Sequence, residues 1–151
     1  MSKICLYAAV FVCLFLGAGS VHATGDGFTD PEATFREGLE LQATDLKQSL
    51  VLLCEGARYG HGPSQFEVGK IYDKRPGKLQ DDAQRRDMAA AMMWLDMAVI
   101  NNMREAIPLR KELGIRAEPD DFRLYNAFTR METNAPCLWE EIYMPVEEGT
   151  E

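Results

Sequence analysis

The amino-acid sequence predicts an all-α protein, a short α/α solenoid of stacked antiparallel helix pairs. Apolar residues recur at helical spacing along almost the whole chain beyond its N-terminal part, and Gly- and Pro-containing turns separate the periodic segments. No convincing alternation of apolar and polar residues indicates a strand in the mature chain. Short helices joined by tight turns are typical of antiparallel helix pairs that stack on one another.

The N-terminal segment 1–23 is predicted to be a cleavable signal peptide that is not part of the helical domain. A short basic start ends at Lys3, an apolar run follows at 4–16, and Val21-His22-Ala23 supplies the small residues that signal peptidase reads. We expect cleavage after Ala23 and a periplasmic or secreted location. The alternative is an uncleaved anchor, although a membrane span needs about 20 apolar residues.

Export leaves an acidic chain with few histidines. The 151 residues include 24 Asp and Glu against 16 Lys and Arg, and the net charge moves from −8 to −9 because the leader carries one lysine and no acid. This charge argues against nucleic-acid binding and, after cleavage, against membrane binding. His61 is the histidine that remains, so most histidine-based metal sites and catalytic triads are not expected.

Cys54 and Cys137 are the cysteines that remain after cleavage. In an oxidising compartment such a pair predicts one disulfide, worth about 4 to 5 kcal/mol in the chain-entropy model because the closed loop is long. The alternative is two unpaired thiols, one in a helix and one on a tail. No CxxC motif occurs, so thioredoxin-like redox chemistry has no support.

Along the chain, residues 24–34 are predicted to be a flexible lead-in, 35–133 the helical domain, and 134–151 an irregular acidic tail. Proline, glycine and asparagine punctuate the domain, and Gly114 is expected to cap one helix at its C-terminus. The apolar spacing predicts helices at about 35–41, 46–57, 64–73, 82–101, 103–113 and 120–131.

Gly69 lies on the apolar face of its predicted helix. A glycine in a helix interior costs roughly 1 kcal/mol relative to alanine, so we expect that its missing side chain lets a second helix approach closely. The following helix offers small residues around a tryptophan, which suits such a contact. The residues assigned to this packing contact are Gly69, Tyr72, Ala91, Trp94 and Ala98.

These segments resemble Sel-one-like repeats, the α/α repeats related to tetratricopeptide repeats. SQFEVGKIYD at 64–73 is similar to their first helix, A-x-x-x-L-G-x-x-Y, and AMMWLDMA at 91–98 is similar to their second, A-x-x-W-x-x-x-A. Residues 76–81 resemble the turn G-V-x-x-D, although the following segment 82–88 is longer than usual. The resemblance covers about 44–113 and implies a non-enzymatic, often exported, protein-binding scaffold or adaptor.

Stacked helix pairs generate a concave face lined by the first helix of each pair, and we predict that a protein partner binds there. An ordinary solvated face is the alternative. The candidate partner contacts, at the start of the first helix of the good repeat and on the side opposite its apolar stripe, are Tyr59, His61, Glu67, Lys70 and Lys74.

A methionine cluster supports one alternative function. Thioethers at helical spacing can bind Cu(I) in an exported protein, which would make this a periplasmic metal-handling protein. The same side chains flank Trp94, where methionine is an adaptable core filler, and we favour that interpretation, with no metal and no cofactor. The cluster consists of Met88, Met92, Met93, Met97 and Met103.

Two further patterns bear on catalysis. His61 could act as a general base, but no nucleophile stands in a recognisable context beside it. Acidic pairs such as Asp120-Asp121 and Glu140-Glu141 could serve glycoside hydrolysis, but helix capping and solvation explain them. We therefore assign no catalytic residue and predict a non-enzyme. A small enzyme, or a secreted effector or inhibitor, remains an alternative.

Overall fold

The computed structural model describes residues 30–74, 81–131 and 135–142, and every regular element among them is an α-helix. The predicted all-α class is therefore confirmed for this part of the chain. The signal peptide and residues 24–29 of the predicted lead-in lie outside it. None of the described helices is long and apolar enough to cross a bilayer. In chain order the helices are α1 (Pro31–Leu41), α2 (Leu46–Arg58), α3 (Gly62–Lys74), α4 (Asp81–Ile100), α5 (Ala106–Arg116), α6 (Pro119–Thr129) and α7 (Trp139–Ile142).

Helix α1 begins earlier than predicted, so residues 31–34 of the expected lead-in are helical. Asp30 is the N-cap, and its side chain accepts a hydrogen bond from the Glu32 N–H at 3.1 Å. Pro31 occupies the first helical turn, where its missing N–H costs nothing and its fixed φ suits the helix. The Asp and Pro that indicated a loop by composition are here the residues that start a helix.

Helix α4 is the centre of the fold. Each residue from 89 to 95 is at most 1% exposed, so the helix is enclosed around its whole circumference. A helix that is apolar on all sides needs neighbours on all sides, and α3, α5, α6 and the C-terminal segment supply them. Trp94 is the largest side chain of this enclosed stretch and is fully buried.

The same close contact recurs in two helix pairs, α1 with α2 and α3 with α4. A Cβ on Gly38 of α1 would lie 2.9 Å from Leu53 Cγ, and a Cβ on Gly69 of α3 would lie 2.7 Å from Leu95 Cγ. In both pairs the same Cβ would also lie 3.4 Å from the backbone carbonyl oxygen four residues before that leucine. Only a residue without a side chain permits this approach, which accounts for a glycine inside each first helix.

Helices α5 and α6 dock on α4 through Asp96. The Tyr125 hydroxyl donates to Asp96 Oδ2 at 2.7 Å, and Arg110 Nε lies 2.9 Å from Oδ1. The Arg110 guanidinium also lies over the Tyr125 ring, 5.4 Å from its centroid. Burial, reinforced by the hydrogen bond to Asp96, raises the pKa of Tyr125. The three side chains therefore join three helices at one point.

Helix α5 does not end at Gly114 as predicted. It continues to Arg116, and the N–H of Ala117 donates to Leu113 O at 2.9 Å. Gly114 keeps a helical backbone, so it has no capping role. The predicted break before α5 does occur, because Asn102 adopts a left-handed φ of 68° and ends α4.

The C-terminal strap, residues 135–142, belongs to the predicted tail and crosses the core, while residues 134 and 143–151 lie outside the described part of the chain. Cys54 and Cys137 are joined in a disulfide with a Cα–Cα distance of 5.7 Å, so the alternative of two unpaired thiols is wrong. The Tyr72 hydroxyl donates to the Cys137 carbonyl at 2.6 Å, and Trp94 Nε1 donates to the preceding carbonyl at 3.0 Å. Both aromatic residues thus use their polar ends to hold the strap.

Glu141 fastens this strap, although the sequence placed it on a solvated tail. Its carboxylate accepts hydrogen bonds from the N–H groups of Cys137 at 2.7 Å and Leu138 at 2.9 Å, and it pairs with Arg58. Burial opposes the charged form, but these hydrogen bonds and Arg58 outweigh it, so the pKa of Glu141 is lowered from its ordinary value of 4.5. The carboxylate stabilises the fold above that value, and this contribution is lost as pH falls through the lowered pKa.

We expect Glu141→Gln to weaken the pH dependence of stability. The wild-type melting temperature should fall between about pH 6 and pH 3, and the variant should lose less over that range because it lacks the titrating carboxylate. Circular dichroism melts at each pH measure this. The exposed Glu40 provides the control, since Glu40→Gln should keep the wild-type pH profile. Parallel profiles for Glu141→Gln and the wild type would contradict the assigned role.

Candidate functional site

The predicted partner residues do not form one open face. Tyr59 is 56% exposed and Lys74 is also exposed. The side chains of His61, Glu67 and Lys70 are instead engaged in contacts within the fold. The structure therefore separates the five residues into two exposed positions and three whose side chains have contacts within the fold.

Glu67 links α3 to α1. Its side chain is 14% exposed, and it accepts a hydrogen bond from Gln42 Nε2 at 3.3 Å. Lys70 pairs with the same carboxylate one turn later, and its ammonium lies 5.1 Å from the centroid of the Phe66 ring. Because both charges already have contacts, reversing them would disturb these contacts as well as any partner contact.

His61 lies between an acid and a hydroxyl. Its Nε2 is 3.3 Å from Glu32 Oε2, and its Nδ1 is 2.8 Å from Ser64 Oγ. Serine, histidine and glutamate in contact are the components of a hydrolase triad, a grouping that the sequence did not indicate. Ser64 is fully buried, however, and a Cβ on Gly56 would lie 2.6 Å from its Oγ. An enclosed hydroxyl does not reach a substrate, so these contacts tie the start of α3 to α1 and α2.

Four of the five methionines of the cluster lie on the central helix α4, and Met103 lies between α4 and α5. Met92 and Met93 are buried, and Met88, Met97 and Met103 pack against the same core as partly buried side chains. This is the placement that the core-filler interpretation predicts. Among the described residues, no group of three His, Cys, Asp or Glu side chains is close enough to hold a metal ion.

Two turns abut at one end of the molecule, the one between α2 and α3 and the one between α4 and α5. A Cβ on Gly62 would lie 2.9 Å from the carbonyl oxygen of Asn101. The buried Gln65 connects the turns, because its Nε2 donates to Ala57 O at 2.9 Å and its Oε1 accepts from Asn101 Nδ2 at 2.9 Å. The two turns therefore have a shared, rigid support.

Large apolar side chains project from this support, and we call them the turn surface: Tyr59, Ile100 and Ile107. They are 56%, 77% and 50% exposed. Tyr59 is one of the predicted partner residues, whereas the isoleucines were not singled out from the sequence. Their signal in the sequence is weak, since each is one apolar residue next to a turn.

A cleft of about 340 Å³ lies between α4, α5 and the start of α6. Arg85 Nη1 lies 2.6 Å from Asp120 Oδ2, and its Nη2 lies 3.1 Å from Glu118 Oε2. Arg116 pairs with Asp73 at the end of α3. Both arginines of the cleft thus already have carboxylate partners. The lining residues are Gln84, Arg85, Met88, Arg116, Glu118 and Asp121.

Asp121 caps α6 with one of its oxygens. Oδ2 accepts a hydrogen bond from the Glu118 N–H at 2.7 Å, in agreement with the capping interpretation of this acidic pair. The residue is only 6% exposed, and its Oδ1 is buried and accepts no hydrogen bond from the described residues. The sequence did not reveal this second oxygen, because its burial depends on how α4 and α6 pack.

Comparison with known proteins leaves the family of this chain open: no family model, no curated protein and no solved structure matches it. The resemblance to Sel-one-like repeats therefore stays a prediction made from the residues themselves. The contacts within the fold, the turn surface and the cleft are the observations from which a function can be argued.

Proposed function

We propose that this chain is an exported, non-enzymatic protein-binding module built on stacked helix pairs of the Sel-one-like kind. The repeated contact of Gly38 with Leu53 and of Gly69 with Leu95 supports the stacking of equivalent pairs. The disulfide supports an oxidising location, in the periplasm or outside the cell. The enclosed Ser64 supports a role other than hydrolysis.

The observation that carries the proposal is the turn surface. Single exposed apolar residues are ordinary, but several on adjoining turns have the character of interface anchors. Tyr59 is a large, exposed aromatic residue with a polar end, a residue type enriched at binding hot spots. Because Gln65 and Asn101 brace the turns, binding would order little additional chain.

The proposed partner contact lies next to the start of α3, at one end of the predicted concave face. Tyr59 is exposed there, while Glu67 and Lys70 in the middle of α3 pair with each other. The same surface could serve an adaptor in the periplasm or a secreted effector. Comparing envelope fractions with the culture medium distinguishes these two locations.

Site-specific photo-crosslinking in the native host tests the turn surface. A photoreactive residue replaces Tyr59 or Ile100 in the full chain, and the matched control replaces Ile115, which is 77% exposed like Ile100 but lies near the end of α5. We expect one and the same protein to be crosslinked from the first two positions and not from the third. Crosslinks that are absent, or equal from all three positions, would contradict the proposal.

The crosslinked partner then allows a quantitative test. We expect Tyr59→Ser combined with Ile100→Ser to weaken its binding at least about tenfold, because truncating interface anchors removes most of the binding energy. The melting temperature should change little, since both side chains are exposed. Ile115→Ser is the control. Equal affinities for the double variant and the wild type would remove the turn surface from the interface.

A further inference from the structure

The turn surface is apolar and exposed, although the turns beneath it are rigidly supported. Tyr59, Ile100 and Ile107 keep 56%, 77% and 50% of their surface accessible to solvent. Exposed apolar side chains that occur singly are ordinary, but a group of them on adjoining turns gains free energy when an apolar segment covers it. The composition and position of the chain that follows α7 make it a candidate for this cover.

The acidic segment, residues 143–151, follows α7 directly and lies outside the described part of the chain. Its sequence, YMPVEEGTE, divides into an apolar half at 143–146 and an acidic half with three glutamates at 147–151. The apolar half suits a surface of tyrosine and isoleucine, and the acidic half suits a nearby cation. A matching docking place would therefore combine apolar side chains with a positive charge.

Arg104 supplies a positive charge beside the turn surface. It lies in the turn between α4 and α5, where its carbonyl accepts a hydrogen bond from the Ile107 N–H at 3.1 Å. The residue is exposed, and its side chain makes no ion pair with any residue in the described ranges. Glu105 is the other charged residue of this turn. Because the chain carries 24 acids against 16 bases, an acidic segment is repelled by most of the surface and attracted to such a cation.

The acidic segment begins within reach of the turn surface. Glu141 pairs with Arg58, the last residue of α2, and Glu140 pairs with Lys47 near the first. Helix α7 therefore lies beside α2, and the described chain stops there at residue 142. Helix α2 has 13 residues and is about 20 Å long, whereas nine extended residues span up to about 30 Å. The segment can thus reach the turn that follows α2 from any starting point along this helix.

We propose that the acidic segment folds back over the turn surface of its own chain. The apolar residues 143–146 pack against Tyr59 and Ile100, and the glutamates that follow lie near Arg104. A weak contact is enough, because a tethered segment is present at an effective concentration on the order of mM. The consequence rests on the function proposed above and is regulatory: a partner has to displace the segment before it binds.

Isoleucine methyl NMR spectra of the full protein test whether the turn surface is covered. The wild type is compared with Tyr143→Ser/Val146→Ser, which removes two apolar side chains from the acidic segment. We expect the methyl signals of Ile100 and Ile107 to shift, because their surroundings lose apolar contacts. Ile115 is the matched control and should keep its signal, since it is 77% exposed but lies near the end of α5. Unchanged signals from Ile100 and Ile107 would overturn the proposal.

Charge reversal tests the contact with Arg104. A photoreactive residue in place of Ile100 should crosslink to the acidic segment, and Arg104→Glu should lower the yield about twofold or more, because an exposed attraction becomes a repulsion. Adding Glu147→Arg/Glu148→Arg should restore the yield. Arg123→Glu is the control, because Arg123 is 75% exposed but lies on α6. Equal yields from Arg104→Glu and the wild type would contradict the assigned charge contact.

Dilution distinguishes the segment of the same chain from that of a second copy. Crosslinks within one chain should keep their yield when the protein is diluted, because the tether fixes the effective concentration. Covalent dimers whose share falls on dilution would assign the contact to a second copy and overturn the proposal.

Partner binding tests the regulatory consequence separately. The methyl spectra need no partner, so their outcome does not depend on the proposed function, and the absence of a partner contradicts that function alone. For the partner found by crosslinking from the turn surface, Tyr143→Ser/Val146→Ser should bind about twofold to tenfold more tightly than the wild type, because less of the surface is occupied by the segment. Equal affinities of the variant and the wild type would overturn regulation by the acidic segment.

Discussion

The double variant Cys54→Ser/Cys137→Ser is expected to lose about 3 to 4 kcal/mol of unfolding free energy and roughly 10 °C in melting temperature. The two cysteines are 83 residues apart in sequence, so the disulfide removes much conformational freedom from the unfolded chain. The chain-entropy model assigns between 4 and 5 kcal/mol to such a loop, and measured values usually fall below the model. Urea and thermal denaturation of the variant and the wild type measure the difference.

The loss should include local order in the C-terminal strap. Without the crosslink, the strap is held to the core by the hydrogen bonds from Tyr72 and Trp94 and by the contacts of Glu141. If the strap detaches, the buried Trp94 Nε1 loses its hydrogen bond to the Pro136 carbonyl. Tryptophan fluorescence and near-ultraviolet circular dichroism should therefore change before global unfolding. Wild-type protein reduced with dithiothreitol is the control and should match the variant. A variant that melts within about 2 °C of the oxidised wild type would show that the disulfide contributes little.

The sequence predicts most of the helices because their signals are local. Apolar spacing and the Gly-His-Gly-Pro turn at 60–63 define α2 and α3 within one or two residues of their observed bounds. The predicted and observed helix ends differ where a residue type is common both at helix ends and in another conformation. Asp30 and Pro31 start a helix or a loop, and Gly114 caps a helix or continues it, and only neighbouring elements decide between the two.

The strap and the sites could not be predicted in the same way, because they depend on contacts between distant residues. That the segment 135–142 crosses the core follows from Cys137, Tyr72 and Trp94 together. Exposure of Tyr59 was predictable from its turn. The hydrogen bond of Glu67 with Gln42, which lies 25 residues away at the C-terminal end of α1, cannot be predicted from local spacing.

Gly69→Leu is expected to destabilise the protein by about 2 kcal/mol, the second large effect. A Cβ added to Gly69 would lie 2.7 Å from Leu95 Cγ and 2.9 Å from Leu95 Cδ2, so a leucine side chain has no room unless α3 and α4 separate. Inserting methylenes into a packed contact typically costs about 1 to 3 kcal/mol, and the gain in helix propensity over glycine, about 1 kcal/mol, does not offset it. Urea denaturation gives the free energy, and Gly69→Ala should fall between the wild type and the leucine variant.

Variants of other glycines and of the facing Leu95 test whether steric crowding causes the loss of stability in Gly69→Leu. Gly38→Leu should behave like Gly69→Leu, because its Cβ would meet Leu53 in the same way. Gly114→Ala should instead cost much less than Gly69→Ala, since its Cβ would meet only Arg110 Nη1, at 3.1 Å, and alanine favours a helix. Adding Leu95→Ala to Gly69→Ala should cost less than the sum of the two single changes, because the smaller residue vacates the space that the new methyl needs. Additive losses in that cycle, or a Gly69→Leu variant as stable as the wild type, would mean that the two helix pairs do not depend on close approach at their glycines.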